Sequence, residues 1–427
     1  MLWLQGGAFV QLFNPNYNGS GLIEASGRKV IVATFNYRVG PYGFLASKEL
    51  AKEGNLNLGL LDQRSAIRWV QNHIAKFGGD PTKITLFGTS VGGGSVLLQT
   101  LAYGGNPPEE DNIEWVAGIA EAVYIPPLRG IEDLEYQYYQ LLDATNCADL
   151  ACLRTLNSTE VQAANIAGTA PGQTALPLFP YGPVIDGKFF TDTPYAMLRA
   201  GNFSKHRPLV MGSSHTEGTI FTPQANTTDE VDEFMKTQYP DLTDSNLAEA
   251  NALYSSVPQT FPGVTIAESP LYYRTAMMYG DTGYACPTLN LASELGAAGV
   301  KIYLFRDNIV DPVELAAGFI VPHTWEVQAV WGPEYATSYV ALPGSTSYEA
   351  GGSNHKIVSQ MQKYWTDFAL TSGHLPVNED SGSPKWETYG CRRRLRLQTN
   401  ATAMEAVQAY EHARCSFWKD MSANTHI

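Results

Sequence analysis

Charge is scarce in this chain. Asp, Glu, Lys and Arg make up 16% of its 427 residues, against about 25% in an ordinary soluble domain. Bases are the scarcer sign: 28 Lys and Arg face 42 Asp and Glu, a net charge of −14. The densest basic stretch, Cys391-Arg392-Arg393-Arg394-Leu395-Arg396, is too small for the footprint a phosphate backbone requires, which excludes nucleic acid as a partner. No run of about 18 uncharged apolar residues occurs, so no transmembrane helix is expected. The opening Met1-Leu2-Trp3-Leu4 is apolar but gives way at once to Gln5-Gly6-Gly7. It carries neither a basic leader nor a small-residue cleavage pattern and is not a signal peptide. Metal-ligand His spacing is missing, as are Gly-rich phosphate loops, so neither a metal nor an organic cofactor is expected. Internal repeats and low-complexity tracts are missing too.

What is plentiful argues for a large packed core. Apolar residues reach 44% and aromatics 11%, a composition that rules out disorder and allows most apolar surface to be buried. Glycine (39) and proline (25) are somewhat high, as expected of many loops on a layered scaffold. Five cysteines are present. Cys147 and Cys152 are close enough for a small local loop, while Cys286, Cys391 and Cys415 allow one further bridge and leave one thiol over. Asn-x-Ser/Thr sequons occur at Asn18, Asn157, Asn202, Asn226 and Asn400. About three are expected by chance from ordinary Ser and Thr usage, so the number leans toward an extracellular glycoprotein.

Along the chain, buried strands alternate with helices. The β-branched run over 29–35 predicts a strand buried on both faces. Leu61, Ile67, Trp69, Val70, Ile74 and Phe77 recur at helical spacing and predict a helix over 62–77, which Gly78-Gly79-Asp80-Pro81 stops. Short buried strands are predicted over 84–87, 209–212 and 300–305, and an amphipathic helix over 354–370. Residues 105–180 and 225–295 read as mostly helical insertions. The expectation is a single α/β layer domain over 1–427 with a mostly parallel sheet.

Strand 84–87 runs into Gly88-Thr89-Ser90-Val91-Gly92, and a glycine-rich helix start follows. Gly-x-Ser-x-Gly alone is unspecific. A strand before it and a helix after it are the context of a nucleophile turn, where small neighbours permit the strained backbone that lifts the serine hydroxyl above the sheet. The helix start also aims free N–H groups at a developing oxyanion. A serine needs a base, and eight histidines are available. His73 falls in the helix before the turn and His426 is terminal. In this architecture acid and base follow the serine on loops after later strands. On position, His323 after the apolar loop Gly318-Phe319-Ile320-Val321-Pro322 and Glu217 after the strand ending at Gly212 are the foremost candidates.

Further segments carry a family pattern: Trp3-Leu4-Gln5-Gly6-Gly7-Ala8-Phe9, Phe35-Asn36-Tyr37-Arg38 with Gly43-Phe44-Leu45, Asn57-Leu58-Gly59-Leu60-Leu61-Asp62-Gln63-Arg64, and Phe77-Gly78-Gly79-Asp80-Pro81. With these the chain resembles the type B carboxylesterases, a family that includes cholinesterases and certain fungal lipases, and the resemblance spans nearly its whole length. It is strongest to fungal secreted members, through Asn14-Pro15-Asn16-Tyr17-Asn18-Gly19 and Gln398-Thr399-Asn400-Ala401-Thr402.

The resemblance implies an α/β-hydrolase fold and hydrolysis of carboxylic esters, small-molecule or lipid, without a cofactor. Ser90 would be the nucleophile, Glu217 the acid and His323, in His-x-x-Glu, the general base. Gly7, Ala8 and Val91 would donate backbone N–H groups to the oxyanion. Cys147–Cys152 would be a disulfide, Phe221 would line the acyl pocket, and the protein would be secreted. The chain departs from the pattern at Gln5 (usually His), Ala8 (usually Gly), Thr89 (usually Glu), Val91 (usually Ala) and Ala122 (often Ser). Ala8 and Val91 add bulk, so a narrower oxyanion hole is expected. Met1 falls inside the oxyanion strand, so the leader, strands and disulfide-closed loop that precede it in relatives are expected to be lacking. The alternative is a silent binding member or an inactive truncated form, but all three triad positions are filled.

Overall fold

The computed structural model describes residues 1–12, 17–266, 268–336, 341–375 and 383–427, and of Cys391 the backbone alone. The Asn14-Pro15-Asn16 part of the fungal motif lies outside the described residues.

A seven-stranded sheet organises the chain. Its strands are β1 (Leu2–Leu4), β2 (Thr85–Thr89), β3 (Ala117–Glu121), β6 (Leu209–Ser214), β7 (Ile302–Asp307), β8 (Arg393–Leu397) and β9 (Ala403–Ala406), in that spatial order. All neighbours are parallel except β8 and β9. The two short strands β4 (Arg129–Gly130) and β5 (Val184–Ile185) pair apart from it. The parallel pairs are joined by helix-bearing crossovers, which cover both faces of such a sheet. Side chains alternate across it accordingly. Leu2, Leu4, Leu86, Leu209, Met211 and Leu304 enter one apolar core. Trp3, Phe87, Ile119, Val210, Tyr303 and Phe305, one residue out of step, enter the other.

Helix α1 (Leu58–His73) ends in a 3-10 turn, Ile74–Phe77, closed by Gly78 at φ 84°. Its glycine terminator works as the sequence predicts, but Trp69 and Phe77 face outward, 51% and 65% exposed. Helix α2 (Val91–Leu101) follows β2, and α3 (Tyr272–Gly280) passes through a π-helical turn, Asp281–Ala285, into α4 (Cys286–Ala297). Helix α5 (His355–Leu370) buries Ile357, Met361, Tyr364, Trp365 and Phe368, and α6 (Ala409–Asp420) packs on α4.

Two expectations change. Residues 29–35 do not form a buried strand. The segment makes one bridge, Ala33 beside Leu2, through Trp3 N–H to Ala33 O (2.9 Å) and Ala33 N–H to Met1 O (3.0 Å). Residues 30–35 are half-buried and Lys29 is exposed, because the run lies at the rim of the sheet beside a strand of only three residues. Within 105–180, read as mostly helical, lies the fully buried strand β3. Its Ala-Gly-Ile-Ala-Glu has little β-branched character. A Cβ at Gly118 would meet Val96 Cγ1 at 2.6 Å, so small residues are what lets helix α2 approach.

Candidate active site

Ser90 stands between β2 and α2 with φ 61° and ψ −130°, a backbone region that costs of order 1–3 kcal/mol outside glycine and persists only where the surroundings enforce it. The enforcement is visible. Ser90 N–H donates to Glu121 O (3.0 Å), and Ser90 O accepts from Gly94 N–H (2.9 Å) and Tyr124 N–H (3.2 Å). The turn also lies against β1: a Cβ on Gly92 would sit 2.0 Å from Leu4 O. Ser90 itself is 5% exposed.

The loop after β1 closes on the serine from the other side. A Cβ on Gly6 would lie 3.0 Å from Ser90 Cβ. The next three residues all have positive φ: Gly7 112°, Ala8 56° and Phe9 59°. Gly7 O accepts from Val10 and Gln11 N–H (both 3.0 Å), which tightens the turn. Gln5 is buried and donates to Asn36 Oδ1 (2.9 Å) and Phe35 O (3.2 Å). Val91 opens α2, so its N–H is among the donors a helix start leaves unused.

Glu217 follows β6 in a 3-10 turn, and His323 lies on the loop beyond β7. Thr216 clips the two loops together: its Oγ1 accepts from Val321 N–H (3.0 Å) and has Phe319 O (2.8 Å) and Val321 O (2.9 Å) within reach of its one proton. His323 Nδ1 meets Glu217 Oε2 at 2.5 Å, with side chains 0% and 1% exposed. Glu217 Oε1 accepts from Ser214 N–H at 2.5 Å. A carboxylate on Nδ1 fixes the proton there and leaves Nε2 as the basic nitrogen. Nε2 is buried and has no hydrogen-bond partner among the described residues. Thr89 Oγ1 lies 3.3 Å from Glu326 Oε1, so the residue before the serine touches the residue three after the histidine.

Among the other histidines, His215 is 3.4 Å from Arg306 Nη1; burial and that guanidinium push it down to about 4. His426 pairs with half-exposed Asp241 (2.7 Å). The rings of Phe221 and Tyr284 pack on His323 at 5.2 and 4.8 Å. Phe221 also meets Phe179 (5.6 Å) and stacks on Tyr284 (5.7 Å). Gly6, Glu121 and Tyr284 are absent from the sequence-based set. Gly6 was legible as the first glycine of its loop. Tyr284 reaches His323 from the π-helical turn, which no local pattern announces.

Cys147–Cys152 is a disulfide, and a second joins Cys286 to Cys415, resolving the pairing left open by the sequence. Asn18, Asn157, Asn202, Asn226 and Asn400 are all exposed. No helix among the described residues is long and apolar enough to cross a membrane.

A mostly parallel sheet, helix-covered on both faces, with a strained serine turn at the end of an inner strand, defines an α/β-hydrolase. Comparison with known proteins narrows the class: residues 1–418 match the model of the carboxylesterase family, and the chain belongs to that family. It is similar to Aspergillus niger EstA, whose crystal structure superposes with a TM-score of 0.91 at 35% identity, covering 100% of this chain and 81% of that one. Lipase 1 of Geotrichum candidum is 33% identical over 67% of this chain and 54% of its own length. Secreted lipase 4 of Gibberella zeae is 28% identical over 98% of this chain and 74% of its own. The chain thus spans about half the length of the first curated relatives it matches.

Proposed function

We propose that this chain is a serine hydrolase of carboxylic esters, formed as one domain around the sheet. The reading is carried by the buried His323–Glu217 pair (2.5 Å), whose Nε2 has no partner among the described residues, in a fold whose nucleophile turn holds Ser90. Ser90 Oγ attacks the ester carbonyl while its proton passes to His323 Nε2, and Glu217 stabilises the imidazolium through Nδ1–H. The carbonyl oxygen becomes an oxyanion held by the N–H groups of Gly7, Ala8 and Val91; loss of one such donor costs about 2.7–4 kcal/mol. The intermediate collapses, the C–O bond to the alcohol breaks, and His323 returns the proton to the leaving alkoxide. Water then attacks the acyl-enzyme with His323 as base, releasing the acid and Ser90.

The substrate is a small-molecule or lipid ester, with Phe221 among the walls of its acyl pocket. Similarity to secreted fungal lipases, the two disulfides and five exposed sequon asparagines support secretion and glycosylation. Treatment of the folded protein with an organophosphonate, followed by mass spectrometry, should place a single adduct on Ser90. An adduct elsewhere, or none, sinks the reading.

A further inference from the structure

The mechanism above leaves unused two carboxyl groups buried beneath the serine turn. Glu121 ends β3 and Glu326 lies three residues after His323; both are 0% exposed. Glu121 is tied to the turn through its backbone, whose O accepts Ser90 N–H (3.0 Å). Its side chain is tied to α5, where Trp365 Nε1 donates to Oε1. Glu326 Oε1 meets Thr89 Oγ1 at 3.3 Å. In both, Oε2 is buried without a hydrogen-bond partner among the described residues.

An ionised carboxylate in such a place needs several donors and a counter-charge. The charges acting on Glu326 are instead Glu121, Asp307 on β7 and Glu217 after β6, all acids. Like charges sharing a buried site cannot all ionise. Burial pushes Glu121 up to about 8, the bond from Trp365 opposing it. Burial and the neighbouring acids push Glu326 well above the carboxylate range. The phenols facing them stay neutral as well: burial and Glu121 push Tyr17 up to about 12, and burial with Asp307, Glu326 and Asp311 raises Tyr348.

We propose that Glu121 and Glu326 are positioning residues that act as neutral, proton-holding acids, Glu121 fixing the turn under Ser90 and Glu326 tying that turn to the His323 loop. Their effect on rate rests on the reading of Ser90 as the nucleophile; their protonation does not. A carboxyl whose ionisation burial raises above the unfolded value of 4.5 makes stability fall as pH rises past that value, because the folded state holds the extra proton.

The test compares wild type with Glu121→Gln, Glu326→Gln and Glu121→Ala. Wild type should show a carboxylic-acid C=O band in difference infrared spectra at about pH 6 that each amide variant weakens. Glu121→Gln should flatten the decline of unfolding temperature between about pH 5 and pH 8. On a short p-nitrophenyl ester it should keep kcat within roughly threefold, whereas Glu121→Ala, which strands the Trp365 N–H, loses at least roughly tenfold. An acid band unchanged in both amide variants, or an unchanged pH slope in Glu121→Gln, overturns the proposal. A wild type with no esterase activity would sink the Ser90 reading instead, and the band and the slope would still decide this one.

Discussion

At the scale of single residues, the site is a set of backbone positions that neighbours do not allow to relax. Gly92 cannot carry a Cβ because Leu4 O stands 2.0 Å from where it would lie, and a strand carbonyl cannot step aside. Gly92→Ala is therefore expected to destabilise by about 3 kcal/mol or more and to abolish activity by displacing Ser90. Ala8 is the opposite case, an L-residue at φ 56° where glycine would be unstrained, so Ala8→Gly should fold with stability within about 1 kcal/mol of wild type. Denaturant midpoints of the two variants check both. Ser90 was legible because its turn needs small residues at fixed spacing. Glu121 was not, since a lone Glu after Ala-Gly-Ile-Ala carries no mark of burial until β3 is placed between β2 and β6.

At the scale of elements, the second disulfide links secondary structure to chemistry. Cys286 begins α4, directly after the turn whose Tyr284 packs on His323, and its partner Cys415 lies on α6. Arg414 beside it stacks on Tyr254 at 4.2 Å and faces Asp281 at 3.8 Å. The bridge closes a separation of 129 residues, against 5 for Cys147–Cys152. Loop-closure entropy is thus worth about 5 kcal/mol for the former and about 2 kcal/mol for the latter. Replacing Cys286 and Cys415 by Ser should cost the larger share in urea unfolding, and replacing Cys147 and Cys152 clearly less. The helices α1 and α5 and strands β2, β6 and β7 were legible from apolar periodicity. The run 29–35 misled because periodicity reports an apolar strand former and not whether a partner stands on each side. Strand β3 hid because its small residues answer to helix α2 rather than to β-propensity.

At the scale of the whole molecule, two large aromatics of the helix before the serine turn stay in solvent. Trp69 and Phe77 are exposed, and Phe77 lines a cleft of about 430 Å³ with Val70 and Ile74 but also Lys29, Asp80 and Lys83. Apolar area of this kind binds apolar probes in the native state. Phe77→Ser should lower the fluorescence of a bound naphthalene-sulfonate dye without changing the denaturant midpoint by more than about 0.5 kcal/mol equivalent. Sequence by itself determined the strand–turn–helix at Ser90 and the layer architecture, since these follow from local spacing and apolar period. Only the tertiary structure decided that Glu217 meets His323, that Tyr284 reaches the imidazole from a helix pair, and that Glu121 and Glu326 lie buried beneath the turn. Those facts depend on which loops end at the same edge of the sheet and on what packs over them there, and neither is written in any local run of residues.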